Sequence, residues 1–366
     1  MSSITIASFG DVLINREDPA SAFSHLTSLV ENVDIVIGNY EGVLTDKSEP
    51  IPGRRGMTIS SVKNAKGVAL FDVLSLANNH AMDSGLQGLT DTLKALHSAG
   101  VQTTGAGLTF QQAWEPALIE CRGIRVAVFG VTGIYYAGTE AGSFQGGVAA
   151  LRSRDYYSPP FSGAVVPGAL PDIMTVINED DWAHFSCLVG NIRSQADFII
   201  AAMHWGDHTR KDIITRYEKE ISKRLSQCGV NLVIGHHHHS LRGVEWHKNM
   251  LTCFGLGNLI FDQPLSCSIN EWSKTGFQLP DHARYTAAIL TRCSPNEILS
   301  AHLLPLYIEA DTPVPVLHGS DEWHAFLRIM RRCTRQDMTV NHLIDNGTQW
   351  GDFTVLDIIK PISDVM

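Results

Sequence analysis

The sequence predicts an α/β fold on three observations. Short runs rich in Val and Ile recur along the first two thirds of the chain, helical spacing fills the intervals between them, and polar residues able to bind metal stand directly behind one run after another. Alternation of this kind packs helices against sheets.

The runs, in order, are ITIASF (4 to 9), DIVIG (34 to 38), DVLSLA (72 to 77), VQTTGAG (101 to 107), RVAVFGV (125 to 131), DFIIAAM (197 to 203) and NLVIG (231 to 235). Most are short, apolar and rich in β-branched residues, and they read as buried strands. Between them, Ala22 to Val30, Leu86 to Ser98 and Ile213 to Gln227 return an apolar residue every three or four positions, which is the helical period. From Val244 the pattern changes to turn-linked strands: a hairpin about Lys248-Asn249, then RYTAAILTR and ILSAHLLPLYIEA. The expectation is a second, antiparallel sheet packed on the first.

Gly133 to Gln195 has little periodicity until a helix around Asp181 to Gln195, and it reads as an insertion lying as a lid over the site. Residues 1–310 are taken as one domain. Beyond about 310, DTPVPVLHGSDEW leads into a helix from Asp321 to Arg332, a C-terminal extension over 311–366.

With 366 residues, 44% of them hydrophobic, the chain has ample core in which to bury a site. A net charge of −10 and the lack of any basic run exclude the electrostatic footprint of a nucleic-acid or anionic-membrane binder. Seven scattered cysteines without a CxxC pair argue against a disulfide framework and against a zinc-thiolate site. The N-terminus runs straight into a strand without a signal-like segment, and no run is apolar enough to span a bilayer. A cytoplasmic protein without membrane or nucleic-acid partners is expected.

The chemistry lies at the run ends. Asp11 follows ITIASFG, Asn39 and Glu41 follow DIVIG, Asn78, Asn79 and His80 follow LSLA, His204 follows FIIAAM, and His236, His237, His238 and His239 follow NLVIG. Strand ends in open α/β sheets converge on one crevice, so these residues are expected to cluster. Taken singly, Asp11 reads as a turn residue, Glu41 as a loop acid and His204 as a core histidine. Taken together, all those readings must hold at once, and an internal four-histidine run behind a buried strand is neither a tag nor a solvated face.

Carboxylate, amide and imidazole donors suit Mn²⁺, Fe²⁺ or Zn²⁺. Six ligands drawn from these residues would exceed one tetrahedral site and suit two ions roughly 3.5–4 Å apart that share a hydroxide nucleophile. His80 beside them is placed to protonate a leaving group. Asn258, in GLGNLIF, is a candidate supporting donor, and Arg54, Arg55, Arg210, Lys211 and Arg242 are candidate clamps for an anionic substrate. Protonation of the histidines below about pH 6 is expected to release the metal.

The ordered segments SFGDVLINR (8 to 16), GNYEGVLTD (38 to 46), LANNHAMDSG (76 to 85), GAG (105 to 107), MHWGDH (203 to 208), GHHHHSLRGVE (235 to 245) and FGLGNLIFD (254 to 262) resemble the capsule-biosynthesis CapA, or poly-γ-glutamate-synthesis, family of the calcineurin-like metallophosphoesterase superfamily. The resemblance implies a four-layer αββα sandwich and a two-metal site, with Asp11, Glu41, Asn79, His204, His237 and His239 at ligand positions and His80 as the catalytic histidine. It also implies that Glu41 stands where the superfamily carries a bridging aspartate. Asn39, Asn78, His236, His238, Arg242 and Asn258 then fall to substrate or supporting roles.

Leu13 replaces the superfamily's histidine two residues after the first aspartate, and His238 stands where the family usually has proline. The implied activity is hydrolysis of a phosphoester or an amide, with a γ-glutamyl bond included. The implied substrate is an anionic or peptide-like small molecule or polymer. The alternatives are an accessory role in polymer assembly and an amide-forming enzyme fed by a preactivated substrate.

Overall fold

The computed structural model describes residues 2–47, 51, 56–159, 166–262, 281–334 and 343–361. The chain lays down part of one sheet, then the whole of a second, then returns to complete the first. Strands β1 (Ile4–Leu13), β2 (Ile35–Tyr40), β3 (Val73–Ser75) and β4 (Gln102–Thr104) open the first sheet and run parallel to one another. Next come β5 (Ala117–Cys121), β6 (Ile124–Thr132), β7 (Phe198–His204), β8 (Leu232–His236), β9 (Val244–His247) and β10 (Met250–Cys253), which form a six-stranded sheet in the order β9-β10-β8-β7-β6-β5.

The chain then supplies β11 (Asn258–Phe261), β12 (Tyr285–Ser294), β13 (Glu297–Glu309), β14 (Thr312–Pro315), β15 (Leu343–Trp350) and β16 (Phe353–Ile358). The first sheet reads β15-β16-β13-β12-β1-β2-β3-β4, with β11 parallel to β1 and β14 on β13.

The two-residue period of the strands sorts side chains between layers. Ile4 and Ile6 of β1 join Phe198 and Ile200 of β7 and Leu232 and Ile234 of β8 in one cluster drawn from both sheets. Ala7 and Phe9 point the opposite way, to Leu89 and Leu96 of helix α1 (Gly85–Ser98). On the far side of the second sheet, Ile199 and Ala201 meet Phe185 and Val189 of α2 (Glu179–Ile192) and Ile221 and Leu225 of α3 (Arg216–Cys228). Both faces of these strands are therefore dry, which explains their near-continuous apolar runs.

Helix α3 starts where it does because Thr215 and Glu218 form a reciprocal capping box, and it stops at Gly229 in the left-handed region (φ 96°).

One expectation needs correction. The turn-linked strands after Val244 do not build a sheet of their own: β9 and β10 extend the sheet of β6 to β8, and β12 and β13 pair onto β1. The division between sheets falls near residue 110 because β5 and β6 already belong to the second one. Residues after 310 supply β14 to β16 and α4 (Asp321–Thr334), whose Trp323 and Phe326 are buried in the cluster between the sheets. Within 133 to 195 the structure adds an exposed ribbon of Ser153–Ser158 and Asp172–Ile177 that the weak periodicity did not announce. No helix among the described residues is long and apolar enough to cross a membrane.

Candidate metal centre

Asp11 lies within β1 rather than behind it. The register against β2 shifts between Ser8 and Asp11, and this irregularity turns the carboxylate to the C-terminal end of the sheet. Gly10 permits the path: a Cβ there would stand 1.9 Å from the carbonyl oxygen of Gly257, so any side chain would force β1 and the Gly257 loop apart. Asn39 and Asn258 flank Asp11 in register on the two neighbouring strands. Asn39 Nδ2 donates to Asp11 Oδ1 at 2.9 Å, and the His237 backbone N–H donates to Oδ2 at 3.1 Å.

Glu41, one residue past β2, is 0% exposed, and neither carboxylate oxygen has a hydrogen-bond partner among the described residues. Imidazole nitrogens surround it instead. Its Oε1 lies 3.5 Å from His204 Nε2, 3.6 Å from His239 Nε2 and 4.0 Å from His80 Nε2. His204 Nε2 also sits 2.8 Å from Asn79 Oδ1. Two triads result, Glu41 with His204 and His237 and Glu41 with Asp11 and His239, each with its donor atoms within 4.8 Å of one another.

Neighbouring groups aim the histidines. His239 Nδ1 lies 2.7 Å from Asn258 Oδ1, which leaves Nε2 towards Glu41. His80 Nδ1 lies 2.7 Å from Asp83 Oδ2, and the His80 backbone N–H donates to Asn78 Oδ1 at 3.0 Å. Asn78 Nδ2 in turn donates to Asn39 Oδ1 and to the Tyr40 carbonyl, locking these loops together. His237 and His239 hold the left-handed backbone region at φ 89° and 51°, a conformation costly for non-glycine residues that persists only where surroundings dictate it. His236 closes the cluster with Nδ1 3.1 Å from Asp11 Oδ1.

Burial pushes the Asp11 carboxyl up, but the hydrogen bond and charge of His236, the charge of His239 and the Asn39 amide bring it down to about 2. Glu41 goes the other way: burial first, then the neighbouring Asp11 charge, raises it well above the ordinary carboxyl range. Burial, reinforced by the surrounding imidazoles, drives His204 and His237 well below the usual histidine value, so both are neutral donors.

A buried carboxylate without a donor and neutral imidazoles aimed at it fit divalent cations, because isolated ionised groups in such surroundings are costly and a cation supplies the missing partner. The donors are oxygen and nitrogen, as borderline ions prefer.

Two predicted members stand elsewhere. His238 turns away, with Nε2 3.0 Å from Glu218 Oε1 at the start of α3. Arg242 is not an anion clamp: its five donors reach the carbonyls of Ile213, Leu241, Asp207 and Arg210 and the Ser240 hydroxyl, and no N–H is left over. Arg210 pairs with Asp207. Arg54 and Arg55 lie outside the described residues.

Asp83 and His208 were not singled out from the sequence. The i,i+3 spacing of His80 and Asp83 in NNHAMD was the available signal for the first. His208, in MHWGDH, lines a cleft of about 370 Å³ with Asn79, Ile134, Tyr135, Tyr136, Asp207 and His237. The described cysteines are all free, and none belongs to either triad.

A family model described as bacterial capsule synthesis protein PGA_cap matches residues 5–263. The capsule biosynthesis protein CapA of Bacillus anthracis is 26% identical over 346 residues, covering 91% of this chain and 73% of that protein. The PGA biosynthesis protein CapA of Bacillus subtilis is 25% identical over 335 residues, covering 88% and 76%. A Mycobacterium tuberculosis protein named "Probable polyglutamine synthesis accessory protein" is 30% identical over 190 residues, covering 52% and 45%.

Proposed function

The chain belongs to the PGA_cap family of bacterial capsule synthesis proteins, and from that premise we propose a metal-dependent hydrolase of the metallophosphoesterase type that cleaves a phosphoester or an amide, γ-glutamyl bonds included. The observation that carries this reading is Glu41, a fully buried carboxylate that has no hydrogen-bond partner among the described residues and belongs to both donor triads. On the same reading, the two sheets with their outer helices are the four-layer αββα sandwich of that superfamily.

Asp11, Glu41, Asn79, His204, His237 and His239 would hold two divalent ions, Mn²⁺, Fe²⁺ or Zn²⁺. Such ions, when bound, acidify water to a pKa of about 7 and neutralise charge on an attacked phosphoryl or carbonyl oxygen. The rest falls to the chain. Asp83 fixes the His80 ring through Nδ1, so that Nε2 faces the cluster and holds or delivers a proton at the leaving group. The cleft bearing Asn79, Tyr135, Tyr136 and His208 receives the part of the substrate that does not react. An anionic or peptide-like molecule or polymer is the substrate class.

A panel of phosphoesters and γ-glutamyl amides, assayed with added Mn²⁺ or Zn²⁺, tests the proposal. Turnover by the wild type, with kcat lowered about 10²–10⁴-fold in His80→Ala, is expected. Stoichiometric metal binding without turnover on either bond class would favour the second reading, an accessory protein of polymer synthesis, which the name of the mycobacterial relative suggests.

A further inference from the structure

Among the histidines at the centre, two are aimed through Nδ1 by groups already described: His80 by Asp83 and His239 by Asn258. His237 has a less ordinary partner. Its Nε2 lies 3.2 Å from Nδ1 of His208, with the two rings edge to face at 5.0 Å between centroids. Its own Nδ1 is buried and has no hydrogen-bond partner among the described residues. His208 belongs to neither triad and is exposed on the wall of the cleft that His237 also lines.

A neutral imidazole carries one N–H and one lone pair, and ligation uses the lone pair. With Nε2 engaged by His208, Nδ1 is the nitrogen of His237 left to face a cation. The proton then sits on Nε2 and is donated to His208 Nδ1, which accepts. That choice propagates: a neutral His208 accepting at Nδ1 carries its own proton at Nε2. Metal-ligating histidines characteristically donate their second ring N–H to an outer partner, and loss of that partner typically weakens metal binding 10–100-fold.

We propose that His208 is a positioning residue of the metal centre: it accepts the Nε2–H of His237, sets the tautomer and ring orientation of that ligand, and in doing so presents an Nε2–H donor to an acceptor oxygen of a molecule lying in the cleft. The proposal rests on the metal-site part of the proposed function and does not depend on which bond is cleaved.

The test is a titration of metal-free protein with Co²⁺, read by visible absorption, and with Zn²⁺ by competition, for wild type, His208→Ala and His208→Gln. His208 is exposed, so its replacements are expected to keep the wild-type circular dichroism. The expected result is roughly 10-fold or greater weakening and an altered Co²⁺ spectrum in His208→Ala, with recovery towards wild type in His208→Gln, whose amide oxygen can accept from His237. Wild-type affinity and an unchanged spectrum in His208→Ala, while wild type binds normally, overturn this inference and leave the metal centre standing. Failure of the wild type to bind either ion overturns both.

Discussion

Glu41 combines complete burial with the want of a donor among the described residues, and elementary electrostatics makes that combination unstable unless it is protonated or a cation arrives. Glu41→Gln keeps the shape and removes the charge. In chelator at pH 8 this variant is expected to be more stable than wild type by about 1–3 kcal/mol, since a buried group without partners costs that much or more. It is also expected to lose stoichiometric metal uptake. Thermal unfolding with and without added Zn²⁺ checks both limbs, and a variant less stable than wild type in chelator contradicts the argument.

The pH dependence follows from the same residues. Glu41 is raised in the fold, so its contribution to metal-free stability is full below about pH 4.5 and is lost as pH rises through its folded value. His204 and His237 are lowered, so theirs is present above about pH 6.5 and is lost as pH falls from there towards their folded values. Burial keeps these imidazoles neutral below the pH 6 threshold expected from unperturbed histidines. The proton on Glu41 is therefore one that competes with metal, and affinity should rise with pH above about 4.5 until that carboxyl ionises in the fold. Calorimetric titrations across that range should show it, and a flat profile speaks against Glu41 as a ligand.

At the scale of elements, the centre depends on strands being brought together by small residues. Gly10 lets β1 pass within van der Waals range of the Gly257 loop, and Gly235 in β8 does the same beside Phe254, where an added Cβ would meet a carbonyl oxygen at 1.9 Å. Gly10→Ala should cost about 1–3 kcal/mol in unfolding free energy and weaken metal binding together with it, because overpacking here displaces Asp11. Chemical denaturation and a metal titration of the same preparation measure the two. A variant that binds metal normally while losing stability would uncouple Asp11 from the strand path.

These elements also show where the sequence was legible. Val/Ile runs announced β1, β2, β6, β7 and β8 because both faces of those strands are dry, and Asp11, Glu41, His204, His237 and His239 lie together at strand ends. The direction of each histidine in the 236 to 239 run was not legible. Two left-handed residues break the strand alternation, sending His238 to Glu218 while His237 and His239 face the cluster. Arg242 looked like an anion clamp because charge is visible in the letters and its five backbone and hydroxyl partners are not.

At the scale of the molecule, the donors come from both sheets: Asp11 lies in a strand of the first and Glu41 and Asn79 follow its strands, while His204 ends a strand of the second and His237 and His239 follow another. Bound ions would therefore tie the layers together. Saturation at about 100 times Kd adds roughly 2.7 kcal/mol to the folded state by mass action, which appears as a higher unfolding midpoint that depends on metal concentration. The separation of the sheets near residue 110 was hidden for a related reason: β1 recruits β12 from nearly three hundred residues away, a pairing that local periodicity does not encode.

The most direct measurement is elemental analysis of wild type and Glu41→Gln after reconstitution with Mn²⁺ or Zn²⁺ at pH 7.5 and removal of free metal. About two ions per wild-type chain and fewer than one in the variant are predicted, as a shared carboxylate between paired cations requires. Sub-stoichiometric uptake by the wild type, or equal loading of the two proteins, contradicts the account.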